Sequence, residues 1–254
     1  PDISELLFAG FLCGHGIDLV PCKTIPLEVP ANAEIVVEGW VDPQDRVWEG
    51  PFGDHTGFYS WADQYPSFEM TAMTHRRDPV MPATIVGYPP QEDYYLGKAT
   101  ERIFLPLLKI LIPDIVDYDL PMWGAFHNFV FVSIRKEYPL QARRVMSAIW
   151  GAGQMAFSKI LVVVDHDVNV HDEQEVMFMV GANVDPRRDI MYVDGPIDIL
   201  DHASPYYAAG SKMGIDATRK IPGEGLVREF PERLTMPEEI ERLVDRRWSE
   251  YGLG

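Results

Sequence analysis

Cysteine is nearly absent: Cys13 and Cys22 are the two in 254 residues, neither at zinc-type spacing with histidine, so there is no disulfide framework. A reducing cytoplasm is the compartment this sets as the default. Basic residues are few as well. With 22 Lys and Arg against 39 Asp and Glu, the formal charge is −17. Duplex affinity comes from Lys and Arg that neutralise phosphates, and an anionic membrane face repels the same acidity. Neither nucleic acid nor an acidic lipid surface is therefore an expected partner, outside a local basic pocket. No apolar run reaches the roughly 18 residues of a transmembrane helix, and no basic and apolar leader is present, so no transmembrane segment is expected. The chain begins Pro-Asp-Ile-Ser-Glu without a methionine. The expectation is a start that was processed or a chain that is part of a longer polypeptide, with residues 6–12 a truncated element. Internal repeats and low-complexity segments are missing too.

What is present is 46% apolar, 11% aromatic and 24% charged residues, the balance of a globular protein that can bury a sizeable core. The length suits one large or two modest domains, and 21 Pro with 20 Gly imply many turns. From about 17 to 95 the pattern is strand-like, with short β-branched runs predicted as strands at 34–41, 68–74 and 83–87. The segment 89–93, Pro-Pro-Gln-Glu-Asp, marks a break. Residues 95–111 then carry apolar side chains at helical period, with Pro106 a kink or boundary.

Beyond the break, strands alternate with helices: strands at 129–134, 160–164 and 190–193, and helices over 140–157 and 173–180. That is the signature of an α/β layer on a largely buried sheet. A polar, Gly-rich connection is predicted at 204–225. A terminal helix over 237–248 follows, acids in its first turn and arginines in its last. Its apolar Ile240, Leu243, Val244 and Trp248 form a stripe suited to a surface helix or to a partner subunit. The domains expected are 1–95, 96–225 and a tail with its helix at 226–254.

The most informative segment is Glu49-Gly-Pro-Phe-Gly-Asp54-His55-Thr-Gly-Phe-Tyr59. Two carboxylates flank a Gly-Pro-Phe-Gly turn and can converge. Like charges held close raise at least one pKa, which leaves a proton available near neutral pH. By spacing alone, acids that merely cap the loop are the commoner case. His55 beside an acid is weak evidence for a metal or a general base. The run 165–173, Asp-His-Asp-Val-Asn-Val-His-Asp-Glu, has the composition of a metal site, yet it follows an apolar strand and lacks the EF-hand glycine. Loop and helix-cap residues are the favoured reading there. His127 reads as structural, and Gly210-Ser-Lys-Met-Gly214 lacks the P-loop pattern.

Taken in order, several segments resemble the UbiD family of reversible decarboxylases. They are Ser4-Glu5-Leu-Leu-Phe-Ala-Gly10, Leu27-Glu-Val-Pro-Ala-Asn-Ala-Glu-Ile-Val-Val-Glu-Gly39, the 49–59 segment, Arg143-Arg-Val-Met146, Asp185-Pro-Arg-Arg-Asp189, Asp201-His-Ala-Ser-Pro205 and Gly210 to Thr218. The resemblance runs from residue 3 to about 224. It implies an α/β (α+β) fold: the second part of a split β-barrel flavin-binding domain, then an α/β domain with a C-terminal helix. It also implies prenylated FMN, a divalent metal, usually manganese (Mn2+), and a monovalent cation (K+) at the flavin phosphate.

Glu5 matches the family's metal-ligating glutamate, Glu49 the first catalytic carboxylate, and Asp54 the second acid, a proton donor. Lys159 and Lys212 are candidates for the flavin phosphate. Family members are nearly twice as long, and their amino-terminal half supplies further metal ligands and an arginine between the two acids. The expectation is thus a carboxy-terminal half, incomplete without that missing amino-terminal half, in a homo-oligomer (dimer or hexamer). The expected substrate is a small aromatic acid. A polyprenyl-4-hydroxybenzoate of ubiquinone biosynthesis is favoured, a small phenolic or naphthoic acid is the alternative, and a catalytically silent scaffold subunit is the rival class.

Overall fold

The computed structural model describes residues 4–125 and 127–252, which fall into two compact units that divide between Thr100 and Glu101. The first unit opens on helix α1 (Glu5–Cys13), entered from an extended Ser4 with Glu5 in the first turn, where a carboxylate offsets the helix dipole. None of its residues is buried. Strands β1 (Leu19–Pro21) and β2 (Glu28–Pro30) pair antiparallel. The dominant feature is a long antiparallel hairpin, β3 (Ile35–Glu49) with β4 (Asp63–His75), running from Ile35 opposite His75 to Glu49 opposite Asp63 with register shifts between Glu38 and Gly39 and between Val41 and Arg46. Glu38 of β3 is buried and accepts from the Lys23 and Thr24 amides at 2.8 and 2.6 Å and from the Thr24 hydroxyl at 2.8 Å. These donors, the Lys23 amide foremost, hold its carboxyl below the usual range and anchor the 22–27 loop on the hairpin.

The strand expected at 83–87 is not formed. Pro79, Pro82, Pro89 and Pro90 bracket that run, and prolines remove the donors a ladder needs. The Ile85 amide instead donates to Glu92 at 3.0 Å. Glu92 opens helix α2 (Glu92–Leu111), which starts three residues before the expected 95 and continues through Pro106.

The second unit is a five-stranded mixed sheet in the order β5-β6-β7-β9-β8. Here β5 is Ile115–Asp119, β6 Phe129–Ile134, β7 Ile160–Asp165, β8 Ile190–Pro196 and β9 Ala209–Asp216. The three central strands β6, β7 and β9 are parallel, and β5 and β8 are antiparallel edges. Side chains alternate between two cores. Val130, Val132, Ile134, Leu161 and Val163 face Val145, Met146 and Ile149 of helix α3 (Gln141–Trp150). Phe131, Val162 and Val164 face Val176 and Met179 of helix α4 (Glu173–Asn183). Burial on both faces is why these strands read as unbroken apolar runs.

Strand β9 lies inside the segment expected to be a Gly-rich connection. Its glycines are packing residues: a Cβ on Gly214 would stand 2.5 Å from Met146 Sδ of α3. The helix expected over 140–157 ends at Trp150, and a 3₁₀ turn at Gly153–Phe157 follows. After the short α5 (Pro186–Asp189), the tail carries α6 (Glu238–Arg246) and a 3₁₀ turn at Trp248–Tyr251. The mixed α/β fold with its C-terminal helix is as expected. Among the described residues no helix is long and apolar enough to cross a membrane.

Candidate functional site

Glu49 is the last residue of β3 and is exposed, while Asp54 sits in the loop that follows and is only 9% exposed. The loop is built by its own backbone. Gly53 bridges to Tyr59, the Asp54 amide donates to Phe58 O at 3.1 Å, and the Gly57 amide donates back to Asp54 O at 3.0 Å. Gly57 takes φ +85°, in the left-handed region that favours glycine. This closes a tight hook that turns the Asp54 carboxylate inward. Its Oδ2 accepts from the Thr56 amide at 3.0 Å, and its Oδ1 lies 3.2 Å from His55 Nδ1.

Burial pushes the Asp54 carboxyl up, but the Thr56 amide and hydroxyl, together with the charge and amide of His55, outweigh it and hold the pKa below the ordinary aspartate value. This corrects the expectation of a raised pKa from paired carboxylates. Donors from the loop set the ionisation of Asp54; Glu49 is not among the groups that do.

Glu5 is exposed in the first turn of α1. A divalent ion of the Mn2+ or Mg2+ kind wants several O or N donors in near-octahedral array. Among the described residues, the group of three metal-capable side chains whose ligand atoms converge is Glu101, Asp119 and His171, not one around Glu5. The donor set of this chain therefore does not by itself fit a metal at Glu5. Lys159 is paired with the buried Asp201. Lys212 is buried, its ammonium against Ala156 O and 6.0 Å from the Trp150 ring centre, and burial pushes its pKa down. A buried ammonium with those neighbours is not presented to an outside phosphate.

The run 165–173 divides between two tasks. Asp172 caps α4, accepting from the Gln174 and Glu175 amides at 3.0 and 3.2 Å, which is the cap reading. Asp165 and Asp167 both take Arg219. His171 instead leaves the loop to sit between carboxylates, with Nδ1 2.7 Å from Asp119 and Nε2 3.1 Å from Asp117.

A second buried cluster that the sequence did not announce joins Lys136 to Glu224 at 2.5 Å and Lys220 to Asp216 and Asp189 at 3.1 and 3.5 Å. It ties the end of β9 to α5 and to the 219–224 segment.

Residues 1–89 match the family described as 3-octaprenyl-4-hydroxybenzoate carboxy-lyase Rift-related domain, and residues 94–217 its C-terminal domain. An uncharacterised protein of Aquifex aeolicus (strain VF5) is 52% identical over 254 residues, 100% of this chain and 52% of its own length. Among solved structures, vanillic acid decarboxylase of Sedimentibacter hydroxybenzoicus in closed form is 29% identical with a TM-score of 0.88, matched over 98% of this chain and 53% of its own. The UbiD-class enzyme HmfF from Pelotomaculum thermopropionicum in complex with FMN is 34% identical, TM-score 0.74, over 96% of this chain and 54% of its own. An evolved dimeric form of HmfF in complex with prFMN is 32% identical, TM-score 0.69, over 94% and 50%. The chain thus spans about half the length of the relatives it matches.

Proposed function

The chain belongs to the UbiD family of carboxy-lyases, and from that premise we propose that it forms part of a decarboxylase using prenylated FMN on a hydroxylated aromatic acid. The enzyme class is supported by the decarboxylase and HmfF relatives, and the cofactor by the prFMN of the related HmfF complex. When bound, that flavin supplies the electrophile that absorbs the electron density left by departing CO₂. This chain's own residues handle the proton. The observation that carries the reading is the hook at 53–59, which buries one acid, Asp54, five residues after an exposed one, Glu49.

In this proposal Asp54 delivers a proton to the carbon that lost CO₂, or removes it in the reverse direction, and Glu49 orients the substrate beside it. Burial is the largest single influence on the Asp54 pKa. Residues from beyond this chain that cover the hook would add to it and move the carboxyl upward, toward a proton-carrying acid. The same residues would complete a Mn2+ and K+ site to which Glu5 contributes.

The favoured substrate is a polyprenyl-4-hydroxybenzoate. A small phenolic acid is the second reading, favoured by the fit to vanillic acid decarboxylase. A homo-oligomer is proposed from the half-exposed Ile240, Leu243 and Trp248 stripe around α6 and from the dimeric HmfF form. A cytoplasmic setting is proposed from the two free cysteines. The test is CO₂ release by the complete protein loaded with prenylated FMN and Mn2+. Glu49→Gln is expected to abolish turnover. Asp54→Asn is expected to slow incorporation of solvent deuterium into product more than it weakens flavin binding. Full activity in Glu49→Gln would remove Glu49 from the mechanism.

A further inference from the structure

We propose that Glu101, Asp119 and His171 form a divalent transition-metal site that clamps α2, the end of β5 and the β7–α4 loop together. One ligand atom from each residue lies within 4.8 Å of the others. Glu101 and Asp119 are 1% and 3% exposed, whereas the His171 side chain remains open to solvent. The arrangement is a buried anionic floor with an imidazole at its mouth, which gives an ion a way in.

The imidazole is placed where it can serve as a ligand. His171 lies between two carboxylate oxygens, Asp119 Oδ1 at 2.7 Å from Nδ1 and Asp117 Oδ2 at 3.1 Å from Nε2. A neutral ring carries one N–H. In the tautomer that carries this proton on Nε2 and donates it to Asp117, the Nδ1 lone pair and an Asp119 oxygen are free to share a cation; in the other, Nδ1–H donates to Asp119. An outer carboxylate that fixes the tautomer of a metal-binding histidine is the usual support for such a ligand. Two donors on one ion with bonds of about 2.0–2.2 Å stand roughly 3 Å or more apart when adjacent, so Nδ1 and Asp119 Oδ1, 2.7 Å apart, must separate by a few tenths of an ångström to take the ion.

The remaining ligand is held in place as well. Glu101 Oε2 accepts from the Leu120 amide at 2.6 Å, and Arg102 spans Glu101 Oε1 at 2.9 Å and Asp117 Oδ1 at 2.8 Å. Arg102 and Asp117 thus form an outer ring around the three ligands. One imidazole with two carboxylates suits Mn2+, Fe2+, Co2+ or Zn2+ better than Mg2+ or Ca2+, which prefer all-oxygen shells. This site involves none of Glu5, Glu49 and Asp54, and it stands whether or not the decarboxylase reading does.

The rival arrangement is an imidazolium paired with the same two carboxylates and no metal. The protein is stripped with chelator and titrated separately with ZnCl₂ and MnCl₂, and bound metal and melting temperature are read for wild type, His171→Ala and Glu5→Gln. One bound ion per chain is expected to be lost in His171→Ala and kept in Glu5→Gln, with metal raising the melting temperature of wild type but not of His171→Ala. Equal stoichiometry and affinity in wild type and His171→Ala would overturn the site, as would a wild-type melting temperature indifferent to metal. Should His171→Ala fail to fold, Co2+-loaded wild type decides. A solvent-exchangeable, hyperfine-shifted proton from the His171 Nε2–H supports the site, and its absence refutes it.

Discussion

The two units bury their apolar residues very differently. Among the described residues, every buried hydrophobic side chain lies at or beyond Leu108. In the first unit Trp40, Trp48, Phe52, Phe58, Tyr59, Trp61, Phe68 and Met70 are all exposed, Trp48 by 72%. The second unit is a two-cored sheet of the kind that sustains itself. The first is a hairpin whose apolar side chains are exposed, and an apolar patch of that kind marks an interaction surface. The proposed proton-handling acids lie on the uncovered unit. Packing and the proposed chemistry are thus separated along this chain.

The contrast can be broken by mutation. Ile149→Ala, a fully buried position of α3, is expected to cost about 2–5 kcal/mol in urea unfolding. Gly214→Ala, whose added Cβ must displace Met146 Sδ, is expected to cost about 1–3 kcal/mol by overpacking. Asp172→Ala removes the α4 cap and is expected to cost about 1 kcal/mol. Trp48→Ser, in the uncovered hairpin, is expected to stay within about 0.5 kcal/mol in the same assay. If it cost as much as Ile149→Ala, the first unit would be packed after all and the comparison would fail.

A pH titration sharpens the same point at Asp54. Its folded pKa lies below the ordinary value, so the stability it contributes is complete above about pH 3.9 and is lost as pH falls through the folded pKa. Asp54→Asn is expected to flatten that acid limb and to lower stability by a constant amount at the higher pH values. An unchanged acid limb would show that the Thr56 and His55 contacts do not stabilise the carboxylate.

The parallel strands were legible because burial on both faces writes them as continuous apolar runs, 129–134 and 160–164. Strand β9 was not, because Gly210, Lys212 and Gly214 serve tight packing and a buried ammonium, residue types that otherwise spell a loop. The run 83–87 misled in the opposite sense: its β-branched residues read as strand, and the flanking prolines decided otherwise. At the candidate site, Glu49 and Asp54 were singled out by the family resemblance and not by their spacing, and the direction of the Asp54 pKa was not legible at all, since contacts from Thr56 and His55, and not a carboxylate neighbour, lower it. The Glu101, Asp119 and His171 cluster was invisible because its members come from three separate stretches of chain that only the folded sheet gathers. The Asp165–Glu173 run hinted at metal chemistry, yet only His171 among its residues joins the cluster.

The most direct test of the central claim, that this chain carries the acids of a site which closes only with residues beyond it, is CO₂ release measured with prenylated FMN and Mn2+. The 254-residue chain alone is to be compared with the same chain joined to the amino-terminal half of a full-length relative. No turnover is expected from the chain alone, turnover is expected once joined, and Glu49→Gln is expected to abolish it. Steady turnover by the 28.8 kDa chain alone would contradict it.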